Sequence, residues 1–277
     1  MSRAALGAGA VLIRPLPLSG ANLGRVRAVF ADVDGTLTTD GRLTGTVLRA
    51  IERLVDLRVQ VVLVSGRPSG WGECWGRQLP VAGVIVENGA LTYSREGKRL
   101  TKRFAQSSAV RAKNRVRLAR IVGAAIKKVK GSRLSTDSFS REVDLAIDYA
   151  EEAPLGPKAA DALEAFLATR SVTAVRSSVH VNCWLGNFDK RSAVRNFMLR
   201  HWNVRFRPVD PRFVYVGDSF NDAPMFAAFS LSVGVANVVD VIDRLDAVPK
   251  FMTRAREGRG FCELVQAIAH AQKGGRT

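Results

Sequence analysis

An apolar run, Val26 to Ala31 broken only by Arg27, stops abruptly at Asp32-Val33-Asp34-Gly35-Thr36. A run of that length ending in turn residues reads as a buried strand, and side chains two apart on a strand leave it in the same direction. Asp32 and Asp34 are therefore expected together at the carboxyl end of one strand, the edge of an open parallel sheet where ligands bind. Two carboxylates held close repel, and each is driven toward its protonated form unless positive charge sits beside it. A hard divalent cation with oxygen ligands is the usual remedy, and magnesium suits it. On its own, Asp34-Gly35 reads equally well as an ordinary turn after a strand.

Three further pieces follow in one order. A second apolar run, Val59 to Val64, leads into Ser65-Gly66-Arg67, whose small hydroxyl and free backbone amide suit a phosphate oxygen. Lys190 stands in Gly186-Asn187-Phe188-Asp189-Lys190, and a later apolar run, Phe213 to Val216, enters Gly217-Asp218-Ser219-Phe220-Asn221-Asp222. Taken jointly and in this order, these motifs resemble those of the haloacid dehalogenase superfamily of aspartate-nucleophile phosphatases. The long segment before Lys190, and Glu87-Asn88-Gly89-Ala90, are similar to its class IIB branch. That branch includes Cof-type, sucrose-phosphate and mannosyl-phosphoglycerate phosphatases, and phosphomannomutase.

The resemblance implies an α/β fold: a doubly wound, parallel, Rossmann-like catalytic sheet with an inserted α/β cap of the C2 type. It implies a magnesium-dependent phosphomonoesterase that forms an aspartyl-phosphate from a small phosphorylated metabolite, a sugar phosphate or a phosphoglycerate-type acid. Asp32 would be the nucleophile and Asp34 the general acid and base. Mg2+ would be held by Asp32, the Asp34 carbonyl and Asp218, with Asn221 and Asp222 in support. Ser65, the Gly66 amide and Lys190 would bind the phosphoryl oxygens, Thr36 would orient the Asp34 region, and Arg67 and Asn88 would meet the rest of the substrate. Lys190 is preceded by Asp189 and followed by Arg191, where many relatives have lysine followed by glycine, so the geometry of that turn stays open. A phosphomutase using the same aspartyl-phosphate is the alternative enzyme.

The apolar pattern divides the chain into a discontinuous core, 24–90 and 184–272, and a cap, 91–183, with a flexible extension at 1–23 and a tail at 273–277. Within the cap, Leu91 to Tyr93 and Arg99 to Phe104 read as short strands, and Ser107 to Lys130 as an amphipathic helix. Glu142 to Tyr149 alternates as a half-buried strand, Pro157 to Thr169 reads as a second helix, and Val172 to Arg176 with Ser178 to Trp184 as a final strand pair. Together they predict an open mixed sheet with two helices. His180, on a strand, is expected to be structural, and Trp71 and Trp75, four apart on a helix, to form one packed face, with an aromatic wall near the substrate entrance as the other reading.

The net charge of +17 is concentrated: fourteen Lys or Arg and one acid, Glu96, lie between Arg95 and Arg133. This is either the solvated face of an arginine-rich chain or a landing surface for anionic substrate or nucleic acid, which would make the enzyme an end-processing phosphatase. No apolar run approaches the ~20 residues that span a bilayer. The three cysteines, Cys74, Cys183 and Cys262, are scattered outside any metal-ligand spacing, the pattern of a reducing cytoplasm. No serine-hydrolase triad or zinc site competes with the carboxylate motifs.

Overall fold

The computed structural model describes residues 14–177 and 179–274. The strands are β1 (Leu16–Pro17), β2 (Ala28–Ala31), β3 (Thr38–Thr39), β4 (Arg42–Leu43), β5 (Gln60–Val64), β6 (Gly83–Val86), β7 (Leu91–Glu96), β8 (Arg99–Phe104), β9 (Arg133–Leu134), β10 (Leu145–Asp148), β11 (Thr173–Arg176), β12 (His180–Trp184), β13 (Phe213–Gly217), β14 (Leu231–Gly234) and β15 (Phe251–Met252). The α-helices are α1 (Gly45–Asp56), α2 (Ser69–Gln78), α3 (Ser108–Lys128), α4 (Pro157–Ala168), α5 (Lys190–Trp202), α6 (Ala223–Ala228) and α7 (Glu257–Gly274).

One sheet takes nine strands in the order β1-β15-β14-β13-β2-β5-β6-β7-β8. From β1 to β6 every pairing is parallel. Its middle strands are apolar on both faces because helices cover both. Val29 and Ala31 pack with α1 and α7, while Ala28 and Phe30 point the other way into a cluster with α5 and α6. The α/β architecture expected from the motifs is the one observed, and the carboxyl ends of β2, β5 and β13 bring residues 32–36, 65–67 and 218–222 to one edge.

Two boundaries differ from the sequence reading. Residues 91–104, expected in the cap, form a hairpin that extends the main sheet, β7 running antiparallel to β6 and β8 to β7. A tight turn with Gly97 at a φ of 62° suffices to reverse the chain, so no crossover is needed. The segment expected as a flexible extension is ordered from residue 14 onward where described: Leu16 and Pro17 pair with Phe251 and Met252, and Leu18 and Leu23 are buried. It covers what would otherwise be an open sheet edge. Residues 1–13 and 275–277, parts of the extension and tail, lie outside the described residues, as does Ser178; Lys273 and Gly274, placed in the tail, end α7.

The inserted unit is a four-stranded sheet, β11-β12-β10-β9, backed by α3 and α4. All its pairings are antiparallel, where a mixed sheet was expected. β10 is buried on both faces, a second departure: Leu145 and Ile147 enter the core of this unit, while Asp144 and Asp148 on the opposite side are equally buried. Its polar side is turned toward the catalytic sheet rather than to solvent, as the bonds from Asn88 to Asp144 and from Arg141 to the Gly66 carbonyl attest.

Candidate active site

Lys190 is the hub. Its Nζ donates to Asp32 Oδ1 at 2.7 Å and to Asp222 Oδ1 at 2.7 Å, with all three side chains buried. The lysine is the first residue of α5, and the turn left open by sequence is settled by Asp189. Its carboxylate accepts from Ser192 N at 2.6 Å while Ser192 Oγ accepts from Asp189 N, a capping box that leaves Arg191 outside the turn's bonding.

Asp222 has both oxygens committed. Oδ1 accepts from Lys190 and, at 2.5 Å, from the Tyr215 hydroxyl; Oδ2 accepts from the amides of Asp218 and Ser219 at 2.9 and 3.1 Å. Asp218 is held from two sides, its Oδ1 accepting from Thr36 Oγ1 and its Oδ2 from Asn237 Nδ2, each at 2.9 Å. The same Asn237 amide donates to the Gly35 carbonyl at 2.9 Å, tying the β2 loop to the β14 loop. Asn221 Oδ1 accepts from Ser219 Oγ at 2.8 Å and helps shape that loop.

Oxygens of Asp32, Asp218 and Asp222 lie within 4.8 Å of one another. Three buried carboxylates share one ammonium, and the imbalance is visible in their proton affinities. Burial pushes the Asp32 carboxyl up to about 8 against the pull of Lys190. Burial, then the charges of Asp32 and Asp222, hold Asp218 well above the usual carboxylate range. Burial would lower the Lys190 ammonium, but Asp222 and Asp32 override it and raise it. An all-oxygen group with uncompensated negative charge is what a hard divalent cation requires. Because Asp222 is saturated by its four donors, Asp32 and Asp218 are the side chains left to ligate such an ion.

The second-strand loop sits opposite. Ser65 Oγ, nearly fully buried, accepts from Arg67 N at 3.0 Å. The Gly66 carbonyl accepts from Arg141 at 3.1 Å, and a side chain at Gly66 would crowd Asn182 and Asn88. Asn88 adopts a left-handed backbone (φ 55°) and donates from Nδ2 to Asp144 Oδ2 at 3.3 Å. Arg67 is engaged by carboxylates: its Nε lies 3.0 and 2.9 Å from the two Asp34 oxygens, and the guanidinium also reaches Glu151 at 2.9 Å and Asp137 at 3.6 Å. It thus bridges Asp34 to the inserted unit, and rests 5.2 Å from the centroid of Trp71, which is half exposed, while Trp75 is buried. His180 Nε2 lies 2.8 Å from Glu151 Oε2, a structural pairing. That contact, with help from Arg67, holds the Glu151 carboxyl down at about 2.

All the motif residues therefore meet at one edge, with Asn88 and Arg67 at the joint between the two units. Tyr215, Asn237, Asn182 and the Asp137–Arg141–Asp144 cluster were not singled out from sequence. Asn237 follows β14 as Asp218 follows β13, so its strand-end position was a usable signal; Tyr215 and Asn182 sit inside strands and carry none. On α3, Arg111 stacks 3.5 Å from the centroid of Phe104 and Arg115 donates to the Asp144 carbonyl at 3.1 Å, so part of the basic stretch has structural partners.

Residues 29–151 match the model of the haloacid dehalogenase-like hydrolase family. No curated protein matches the sequence. Among solved structures, the C-terminal domain of trehalose-6-phosphate phosphatase from C. albicans is similar at 17% identity and a TM-score of 0.70, covering 92% of this chain and 98% of that one. A Thermoplasma acidophilum protein, 0175, gives 20% identity and a TM-score of 0.68 over 88% and 98% of the two chains. Sucrose-phosphatase from Synechocystis sp. PCC6803, solved with sucrose and phosphate, gives 18% and 0.62 over 89% and 98%. At these identities the likeness is one of fold, and it extends through the inserted unit. Motifs gathered at one sheet edge, the family match across the first two of them, and a shared architecture with its inserted α/β cap make this chain similar to the haloacid dehalogenase-like hydrolases.

Proposed function

We propose that the protein is a magnesium-dependent phosphomonoesterase that works through an aspartyl-phosphate on Asp32. The observation that carries this reading is the buried cluster of Asp32, Asp218 and Asp222 around the single ammonium of Lys190. Held by Asp32, Asp218 and the Asp34 carbonyl, magnesium would supply charge neutralisation for the carboxylate and the incoming phosphoryl group.

An Asp32 oxygen attacks phosphorus as the ester P–O bond breaks, and Asp34 gives its proton to the departing alkoxide, a poor leaving group otherwise. Water then bonds to phosphorus, Asp34 takes its proton, and Asp32 is released with inorganic phosphate. Lys190 and the Ser65–Gly66 loop offer donors to the phosphoryl oxygens, and Asp222 orients Lys190. In the arrangement described, both Asp34 oxygens are paired with the Arg67 guanidinium, so Arg67 must withdraw to free them for the leaving group. Substrate entry is the event that would withdraw it.

The substrate is a small phosphorylated metabolite, a sugar phosphate or a phosphoglycerate-type acid; the similarity in fold to a trehalose-6-phosphate phosphatase and a sucrose-phosphatase supports that range. Wild-type protein with magnesium should release phosphate from an aryl phosphate. Chelation should stop the release and added magnesium restore it, and Asp32→Asn should abolish it while circular dichroism stays native. Turnover by Asp32→Asn at the wild-type rate would refute the mechanism.

A further inference from the structure

We propose that Asn182 holds the water that hydrolyses the aspartyl-phosphate, and that its acceptor oxygen makes water, rather than an alcohol, the group to which the phosphoryl passes. This rests on the phosphomonoesterase reading above and separates a phosphatase from a phosphomutase using the same intermediate.

Asn182 is the middle residue of β12. Its neighbours Val181 and Cys183 enter the core of the inserted unit, so by the period of a strand Asn182 points the other way, as does Trp184, which packs into the core of the catalytic sheet. The Asn182 amide lies against the Ser65–Gly66 loop: a Cβ at Gly66 would stand 3.1 Å from its Nδ2. Asp32, Asp34, Asn182 and Asn221 line the same crevice. With Arg67 in place its volume is about 10 Å³, the room that one water needs.

Asn182 is 2% exposed, and among the described residues nothing donates to its Oδ1. The donors nearest Gly66 are engaged elsewhere: Asn88 Nδ2 with Asp144, Arg141 with the Gly66 carbonyl, Asp137 and Asp144, and Arg67 with Asp34, Glu151 and Asp137. A buried acceptor left open is costly unless a ligand donates to it. That ligand needs a hydrogen to spare.

The ester oxygen of a bound substrate has none, so Oδ1 gains nothing while Asp32 attacks. Water, taking the place of the departed alcohol, has two. In the second step the water oxygen bonds to phosphorus, one hydrogen passes to Asp34 as a proton, and the P–O bond to Asp32 breaks with its electron pair returning to that carboxylate. The other hydrogen stays on the oxygen, held by Asn182 Oδ1, and leaves on inorganic phosphate. An alcohol in the same place has a single hydrogen, which Asp34 must take, and turns carbon toward Oδ1. A hydrogen bond that only water can make in the transition state favours hydrolysis over transfer.

The test uses full-length protein with magnesium, an aryl phosphate, and glycerol as a competitor for the phosphoryl group. Phenol released counts every turnover and inorganic phosphate counts hydrolysis alone, so their difference is glycerol phosphate. In Asn182→Ala the ratio of glycerol phosphate to inorganic phosphate should rise about tenfold over wild type. Because the second step limits turnover of an aryl ester, kcat should fall while kcat/KM, which reports only the first P–O cleavage, stays nearly unchanged. The urea midpoint should hold, since the oxygen removed had no partner. Asn182→Leu, apolar and of similar length, reads the same ratio should the smaller variant lose its fold. Asn182→Asp, isosteric and still an acceptor, should keep the wild-type ratio. A ratio unmoved in Asn182→Ala and Asn182→Leu, or raised as much in Asn182→Asp, overturns this inference alone; wild-type protein that releases no phenol overturns the phosphatase reading beneath it.

Discussion

At the scale of single residues, the site is organised by who saturates whom. Asp222 receives four donors and so serves Lys190 and the 218–219 amides, whereas Asp218 receives two and stays open to a further ligand. Removing one donor to a buried carboxylate costs about 1.5–3 kcal/mol, so Tyr215→Phe should lower stability by that amount in urea unfolding while keeping the fold. Glu151 yields a pH prediction: its folded carboxyl sits near 2, below the unfolded value, so its stabilisation is present above about pH 4.5 and disappears as pH falls through 2. In Glu151→Gln the acid limb of a thermal-stability profile should flatten over that window. Sequence made Asp32, Asp34, Lys190 and Asp218 legible because each is punctuation after an apolar run or keeps company with such motifs. Tyr215 left no such trace: a tyrosine inside a strand looks like any other core aromatic, and its hydroxyl partner is defined only when the 218–222 loop folds back over it.

Among the elements, α5 is the one whose exact start matters. Asp189 stops the chain from fraying there and so sets the depth of Lys190; Asp189→Ala should cost about 1 kcal/mol in chemical denaturation and lower kcat/KM on an aryl phosphate. Gly89 abuts this cap from the end of β6. With φ at 103° and no room for a Cβ against the Asp189 carbonyl oxygen, Gly89→Ala should destabilise more than Asp189→Ala does, as read by the same unfolding curve. The central strands were readable because burial on both faces leaves an unbroken apolar run. For β10, alternation implies two environments without naming them, and the second is the catalytic sheet rather than water. β7 and β8 were likewise legible as strands but not as members of the larger sheet, because partner choice depends on what lies beside β6 in space.

For the molecule as a whole, the joint between core and inserted unit is polar, buried and asymmetric. Glu87, on the core, accepts from Ser69 N of its own side and from Glu142, Val143 and Asp144 N of the other, at 3.0, 2.9, 2.7 and 3.0 Å. Glu87→Gln would turn an amide donor toward two of these donors; it should cost about 2–4 kcal/mol and speed amide exchange at residues 142–144, measurable by mass spectrometry. Nothing in the one-dimensional pattern could forecast this, since a separation of 55 positions between Glu87 and Glu142 hides the contact. Two covalent crossings, near residues 105 and 186, already tether the inserted unit, and Glu87 adds a rivet between them. Stitched down as well by Arg67, Asn88 and Arg141, this unit is a seated cover, and whatever enters beneath it must exchange some of those bonds for its own.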